Sequence, residues 1–219
     1  MGLEALYPSR CGLCGRLGPE VICDRCKDEF PFDETLIQQA PHLAPLHLVV
    51  SRFRFDSRAS QAVKRLKFSR ATCLGAPMAA ELRQTYDDHG LDNYEVIIPV
   101  PISQRRRRQR GFNQSESLVS ALPSAKVQPT WLNRIRHTAP QASLKADARR
   151  TNLVKAFQAE PGVTGQSVLI VDDVITTGGT GIACAQALLS AGATRVSLLA
   201  FCGEKSPDLE DYLSGDRSP

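Results

Sequence analysis

A chain of 219 residues is long enough to bury one substantial core and carry a small appendage. With 42% hydrophobic and 23% charged residues it has the composition of a globular protein, which excludes global disorder. No run approaches the roughly 18–20 apolar residues that a membrane helix needs, so no membrane insertion is expected. The excess of 27 Lys+Arg over 23 Asp+Glu is too mild to mark a nucleic-acid binder by itself, but five basic residues share one run, Arg105, Arg106, Arg107, Arg108 and Arg110.

The N-terminal MGLEALYPSRCGLC lacks a basic segment followed by an apolar one, and Leu6 stands where myristoylation would need Ser or Thr. A cytoplasmic location is therefore expected, where seven cysteines are metal ligands or buried thiols rather than disulfides. Cys11-x-x-Cys14 and Cys23-x-x-Cys26 are two knuckle-like pairs eight residues apart. Each pair lets two thiolates reach one ion, and four sulfurs complete a tetrahedron for structural Zn²⁺, with no open position for catalysis. A thioredoxin-type redox pair would instead need a single Cys-x-x-Cys opening a helix after a strand. Cys73, Cys184 and Cys202 read as small buried residues, and no role is assigned to His42, His47, His89 or His137.

After the head, Pro31, Pro41 and Pro45 punctuate a linker with one short helix expected at 33–40. Residues 48–55 (LVVSRFRF) suit an edge strand, 57–68 an amphipathic helix with Lys64, Arg65 and Lys67 outward, and 77–86 a second helix. A short buried strand follows at 96–100. Next comes a helix at 113–122, opened by Asn113 with Glu116 three residues on in capping-box spacing. A strand is expected at 126–132. Residues 133–157 are polar, basic and weakly periodic, a long excursion of the kind that is usually functional. An apolar strand at 168–171, a helix at 180–191 stopped by Gly192 and a strand at 195–201 complete the body, and the polar tail frays. Strands alternating with helices imply a mainly parallel sheet with its ligand site at the strands' carboxyl ends.

Residues 168–180, VLIVDDVITTGGT, carry the most specific signal. Asp172 and Asp173 stand at the end of the strand. Glycines then let successive amides converge on a phosphate, the helix N-terminus adds partial positive charge, and Thr176, Thr177 and Thr180 add hydroxyls. Carboxylates beside an anion site make sense when the ligand also offers hydroxyls or a metal, as a ribose phosphate with Mg²⁺ does. A Thr-capped helix start with solubilising acids would account for a Gly-Gly turn, but not for the whole string. Neither a Walker A loop nor a dinucleotide fingerprint is present.

Four apolar residues, two acidic ones and Thr-Thr-Gly-Gly-Thr resemble the 5-phosphoribosyl 1-diphosphate (PRPP) motif of type I phosphoribosyltransferases. Along most of its length the chain is similar to the ComF/GntX family, associated with competence and DNA utilisation. The similarity runs through both Cys pairs, LKF at 66–68, PVPISQRRRRQRGFNQ at 99–114, the run Arg134, Arg136, Thr138, Gln141, Leu144, Arg149, Asn152, Ala156 and Phe157, and the loop itself. The resemblance implies an α/β fold with a type I phosphoribosyltransferase core, a mainly parallel sheet flanked by helices, and a small N-terminal four-cysteine zinc-binding head. The expected divisions are a zinc head at 1–30, a linker and hood-like segment at 31–95, the core at 96–205 and a flexible tail at 206–219.

By the same resemblance, Asp172 and Asp173 hold the ribose 2′ and 3′ hydroxyls and are the catalytic pair, while Thr176, Thr177, Gly178, Gly179 and Thr180 cradle the 5′-phosphate. Residues 99–104 occupy the place of the pyrophosphate loop. Ser103, Arg105, Arg107, Arg108 and Arg110 are therefore candidate anion ligands, since Arg suits bidentate phosphate contacts. Gln141, Arg149 and Asn152 fall in the place of the flexible loop that closes over PRPP. The anion at the arginine run is either diphosphate or a single-stranded DNA backbone, with Phe112 for stacking and Lys64, Arg65, Lys67 and Arg70 as a second basic patch. Two readings remain open from sequence. One is a PRPP-binding protein acting in DNA uptake or utilisation, beside a helicase-like competence partner. The other is an active phosphoribosyltransferase of nucleotide metabolism using PRPP and Mg²⁺ with an unidentified acceptor.

Overall fold

The computed structural model describes residues 9–29, 35–39, 41–55, 57–68, 71–135 and 156–204. Strands β1 (Leu36–Gln38), β2 (Val49–Arg54), β3 (Val96–Pro99), β6 (Ser167–Ile175) and β7 (Arg195–Gly203) form one sheet in the order β1-β2-β7-β6-β3. All neighbours are parallel except β1, which runs antiparallel to β2 at one edge. The helices are α1 (Asp24–Asp28), α2 (Ser57–Phe68), α3 (Gly75–Asp88), α4 (Gln104–Arg110), α5 (Gln114–Leu118) and α6 (Gly179–Ser190). A separate antiparallel ribbon joins β4 (Leu132–Arg134) to β5 (Phe157–Ala159). It brackets the long excursion; Gln141, Arg149 and Asn152 lie outside the described residues, as does the tail at 206–219.

The strands alternate as a sheet buried on both faces must. Leu169 and Val171 of β6, with Leu199 and Phe201 of β7, pack into the layer that holds Leu66 of α2, Leu82 of α3 and Leu118 of α5. Val168, Ile170, Val196 and Leu198 face the opposite layer with Cys184 and Leu188 of α6. The chain thus leaves β3 toward one face and the adjacent β6 toward the other. That is a topological switch point, and it opens a crevice between the carboxyl ends of β3 and β6.

Several sequence expectations are corrected. Within the helix expected at 33–40, Leu36–Gln38 is a strand. Pairing to β2 and the bond from Gln38 Nε2 to Glu204 O outweigh helix propensity. The expected edge strand is interior, flanked by β1 and β7. Its Arg52 is tolerated there because Nε meets Glu81 of α3 at 2.9 Å and the guanidinium lies over Phe53. In the strand expected at 126–132, Val127 makes only an isolated bridge to Ile97, after a 3₁₀ turn at Ser124–Lys126. The helix expected at 113–122 gives way to a 3₁₀ turn after Leu118. β6 continues through both aspartates to Ile175, so they lie in the sheet rather than beyond it. Cys73 is exposed, whereas Cys184 and Cys202 are buried.

The Cys head is docked on the body. Cys11, Leu13 and Cys26 belong to the same buried layer as Leu74 and Met78. At Gly12 an added Cβ would lie 2.8 Å from the Leu74 side chain, so the backbone there closely approaches the 3₁₀ turn at Thr72–Leu74 that leads into α3. Among the described residues no helix is long and apolar enough to cross a membrane.

Candidate functional site

Strand β6 delivers the acidic pair to the crevice. Asp172 Oδ1 accepts from Ser115 Oγ of α5 at 3.1 Å and from the Asp173 amide at 2.9 Å. Asp173 is 5% exposed, and its Oδ1 lies 2.8 Å from Lys67 Nζ of α2. The two carboxylates therefore have different lives. Lys67 compensates Asp173. Asp172 is pushed up to about 7, first by burial and then by the charge of Asp173, against the pull of its hydrogen bonds and of Lys67.

After β6 the loop turns into α6 through Gly178 at φ 76°, and no side chain caps the helix. The amides at the start of this helix, with Thr176, Thr177, Gly179 and Thr180, surround a recess of about 70 Å³. An uncapped helix N-terminus of this kind is an anion cradle. A Cβ on Gly178 would sit 2.6 Å from Leu43 Cδ2, a buried side chain, in a backbone region that disfavours L residues. We predict that Gly178→Ala lowers stability by about 1–3 kcal/mol in a urea melt and reshapes the recess. An unchanged midpoint would contradict the tight packing of this turn.

Beside the cradle lies a cavity of about 230 Å³ lined by both aspartates, Ser115 and four cations: Lys67, Arg106, Arg110 and Arg134. Arg106 and Arg110 are one helical turn apart on α4 and so share a face. Burial, then the charge of Arg106, lowers the pKa of both Arg110 and Arg134. This crowding of like charge invites an anion. Gln114, 1% exposed, accepts at Oε1 from Arg110 Nη1 at 2.8 Å; the residue is among those lining the same cavity, and its Nε2 is buried with no hydrogen-bond partner among the described residues.

The expected arginine ligands divide. Arg110 lines the cavity. Ser103 caps α4 by accepting from the Arg106 amide, and with Arg107 it lines a neighbouring groove of about 1050 Å³. Arg107 is held by both oxygens of Glu116, at 2.7 and 3.0 Å. That bidentate pair also undoes the expected capping box, since Glu116 turns to Arg107 while Asn113 alone caps α5 at the Ser115 amide. Arg105 and Arg108 are exposed on α4. Sequence reasoning missed Gln114, Ser115 and Arg134 as site residues, left Arg106 out of the candidate ligands chosen from its run, and placed Lys67 only in a basic patch for DNA. Reading the basic run as a helix would have singled out Arg106 with Arg110; Lys67 and Arg134 reach the crevice only through tertiary packing.

In the head, the Sγ atoms of Cys11, Cys14, Cys23 and Cys26 all lie within 4.8 Å of one another, a set that could hold a metal ion. Cys14 and Cys23 are 3.7 Å apart, and the Cys23 amide donates to Cys11 Sγ. A tetrahedron with metal–sulfur bonds of about 2.3 Å has edges of about 3.8 Å, so the donor set fits zinc. Burial raises the Cys11 thiol, but surrounding amides outweigh it and bring it to about 6; Cys26 is pushed up to about 12 by burial and its three neighbours. One thiolate thus opposes another, a conflict that a divalent cation relieves.

Residues 74–215 match the phosphoribosyl transferase domain family. The DNA utilization protein YhgH of Escherichia coli O157:H7 is 36% identical over 198 residues, covering 88% of this chain and 83% of that protein. Competence protein F of Haemophilus influenzae is 30% identical over 178 residues, covering 76% and 74% of the two chains. Competence protein ComFC of Bacillus subtilis is 26% identical over 183 residues, covering 83% and 72%. With the parallel sheet, the switch-point crevice and the four-cysteine head, these similarities make the chain a member of the ComF-like family built on a phosphoribosyl transferase domain.

Proposed function

We propose that the crevice holds PRPP with Mg²⁺, in a protein that acts in DNA uptake or utilisation. The observation that carries this reading is the convergence of an uncapped helix N-terminus, an acidic pair and four cations on one crevice. In this reading the loop from Thr176 to Thr180 takes the 5′-phosphate, Asp172 and Asp173 take the ribose hydroxyls, and Arg106, Arg110 and Arg134 face the diphosphate. Mg²⁺ bound with the diphosphate would offset its charge. Arg105, Arg107 and Arg108 form an outer basic rim on the helix that Ser103 caps, and residues Gln141, Arg149 and Asn152 belong to the closing loop. Zn²⁺ fills the cysteine head as a structural ion. The proposed divisions are a head at 1–30, a hood-like segment at 31–95 whose β1 and β2 nonetheless extend the core sheet, the core at 96–205 and the tail beyond, in a protein working in the cytoplasm.

The DNA role is supported by the names of the relatives and by the exposed arginine rim. Single-stranded DNA is the proposed macromolecular ligand of that rim, with a helicase-like competence protein as partner. The expected result is that a short oligothymidylate binds, that its affinity falls steeply between roughly 50 and 200 mM salt, and that Arg105→Ala with Arg108→Ala weakens it several-fold and flattens the salt slope by about 1.4. Binding without salt dependence, or unmoved by the double substitution, would remove the rim from the account.

A further inference from the structure

We propose that Phe68, at the end of α2, is a stacking platform for a nucleobase at the mouth of the crevice. The proposal rests on the PRPP reading and names the class of ligand that stands beside it. Phe68 is 71% exposed, the most exposed of the large apolar side chains described, and it takes no part in the buried layers. Its place is nonetheless fixed from two sides. The preceding residue, Lys67, reaches into the crevice to Asp173 at 2.8 Å. The guanidinium of Arg110, which also lines the crevice, lies over the Phe68 ring with Cζ 5.2 Å from its centroid. Arg110 is itself held by Gln114.

An aromatic ring backed on one side by a guanidinium and open to solvent on the other presents a flat π face. Such a face takes planar heteroaromatic rings, and base–aromatic stacking tolerates any base. Because Arg110 joins the ring to the cavity where the PRPP reading places ribose and diphosphate, the planar group that fits beside it is a nucleobase. The base comes either free in solution or from a single strand, and the shared chemistry is the stacked ring.

The test uses the full-length protein with PRPP and Mg²⁺ present. Adenine, guanine, uracil and a short oligothymidylate are titrated into wild type, Phe68→Ala and Phe68→Trp. The expected result is binding of at least one of these probes, weakened about ten-fold in Phe68→Ala and retained in Phe68→Trp, whose added fluorescence is quenched as the base stacks. Free-base binding identifies a soluble acceptor, and oligothymidylate binding alone identifies a strand as the source. No binding by any probe, equal affinities in wild type and Phe68→Ala, or no quench in Phe68→Trp overturns the platform. PRPP titrated alone separates the two ideas. If wild type ignores PRPP but still binds bases through Phe68, the PRPP reading fails. If PRPP binds while bases are indifferent to Phe68, the platform fails.

Discussion

Asp172→Asn should make the ligand-free protein more stable at pH 8 while disabling its crevice. A carboxyl whose folded-state pKa lies above its unfolded value, as Asp172 does at about 7, binds its proton more tightly when folded. The stability it contributes is complete below the unfolded value near 3.9 and is lost as pH rises through about 7. Asparagine stays neutral, and its Oδ1 still accepts from Ser115 and the Asp173 amide. The variant should therefore gain on wild type as pH rises from about 4 through 7, its advantage at pH 8 exceeding that at pH 5 by on the order of 2–3 kcal/mol, compared by urea melts. Asp173→Asn should have the opposite sign, because it strands the largely buried Lys67 ammonium at a cost of about 1–3 kcal/mol. A pH-independent difference for the first variant, or a gain for the second, would contradict the unequal charges assigned to the pair. Stability sacrificed at a ligand site is a common trade, and here the burial of Asp172 specifies where it falls.

Removing the zinc proposed for the cysteine head should disrupt far more than the head. Cys11, Leu13 and Cys26 are buried with Leu74, Met78 and the α2 residues Ala62 and Leu66, so loosening the four sulfurs exposes one end of the main apolar layer. Structural zinc contributes folding free energy outright, on the order of 10 kcal/mol in isolated fingers. Losing even about 3 kcal/mol of it would lower Tm by roughly 6–12 °C in a chain of this size. Dialysis against a strong chelator should produce that drop, and zinc should restore it. Cys26→Ser should reproduce it irreversibly. A melt unchanged after verified metal removal would show that packing alone holds the head.

The legible and illegible parts of this chain divide by the range of the interactions. The loop from Asp172 to Thr180 is readable because its chemistry is local: an apolar strand, two acids, glycines and a helix start occupy consecutive positions. The cysteine head is readable for the same reason. The cations facing the aspartates are not, since Lys67 arrives from α2, far upstream in the chain, and Arg134 from the foot of a ribbon. Each looks in sequence like an ordinary basic residue. The helix expected at 33–40 fails where a sheet edge captures residues with adequate helix propensity. The arginine run reads in sequence as a block of anion ligands, and only its helical form explains why Arg106 and Arg110 face the crevice while Arg107 turns to Glu116.

The central claim is that this crevice binds PRPP through the acidic pair and the loop that follows it. Calorimetric titration of PRPP with Mg²⁺ into the full-length, zinc-loaded protein tests it most directly, beside Asp172→Asn combined with Asp173→Asn. The predicted result is one-to-one binding by wild type, weakened at least about a hundred-fold in the double variant, as loss of two buried ligand contacts at ~1.5 kcal/mol or more each requires. Heat of binding absent in wild type, or undiminished in the double variant, would contradict it.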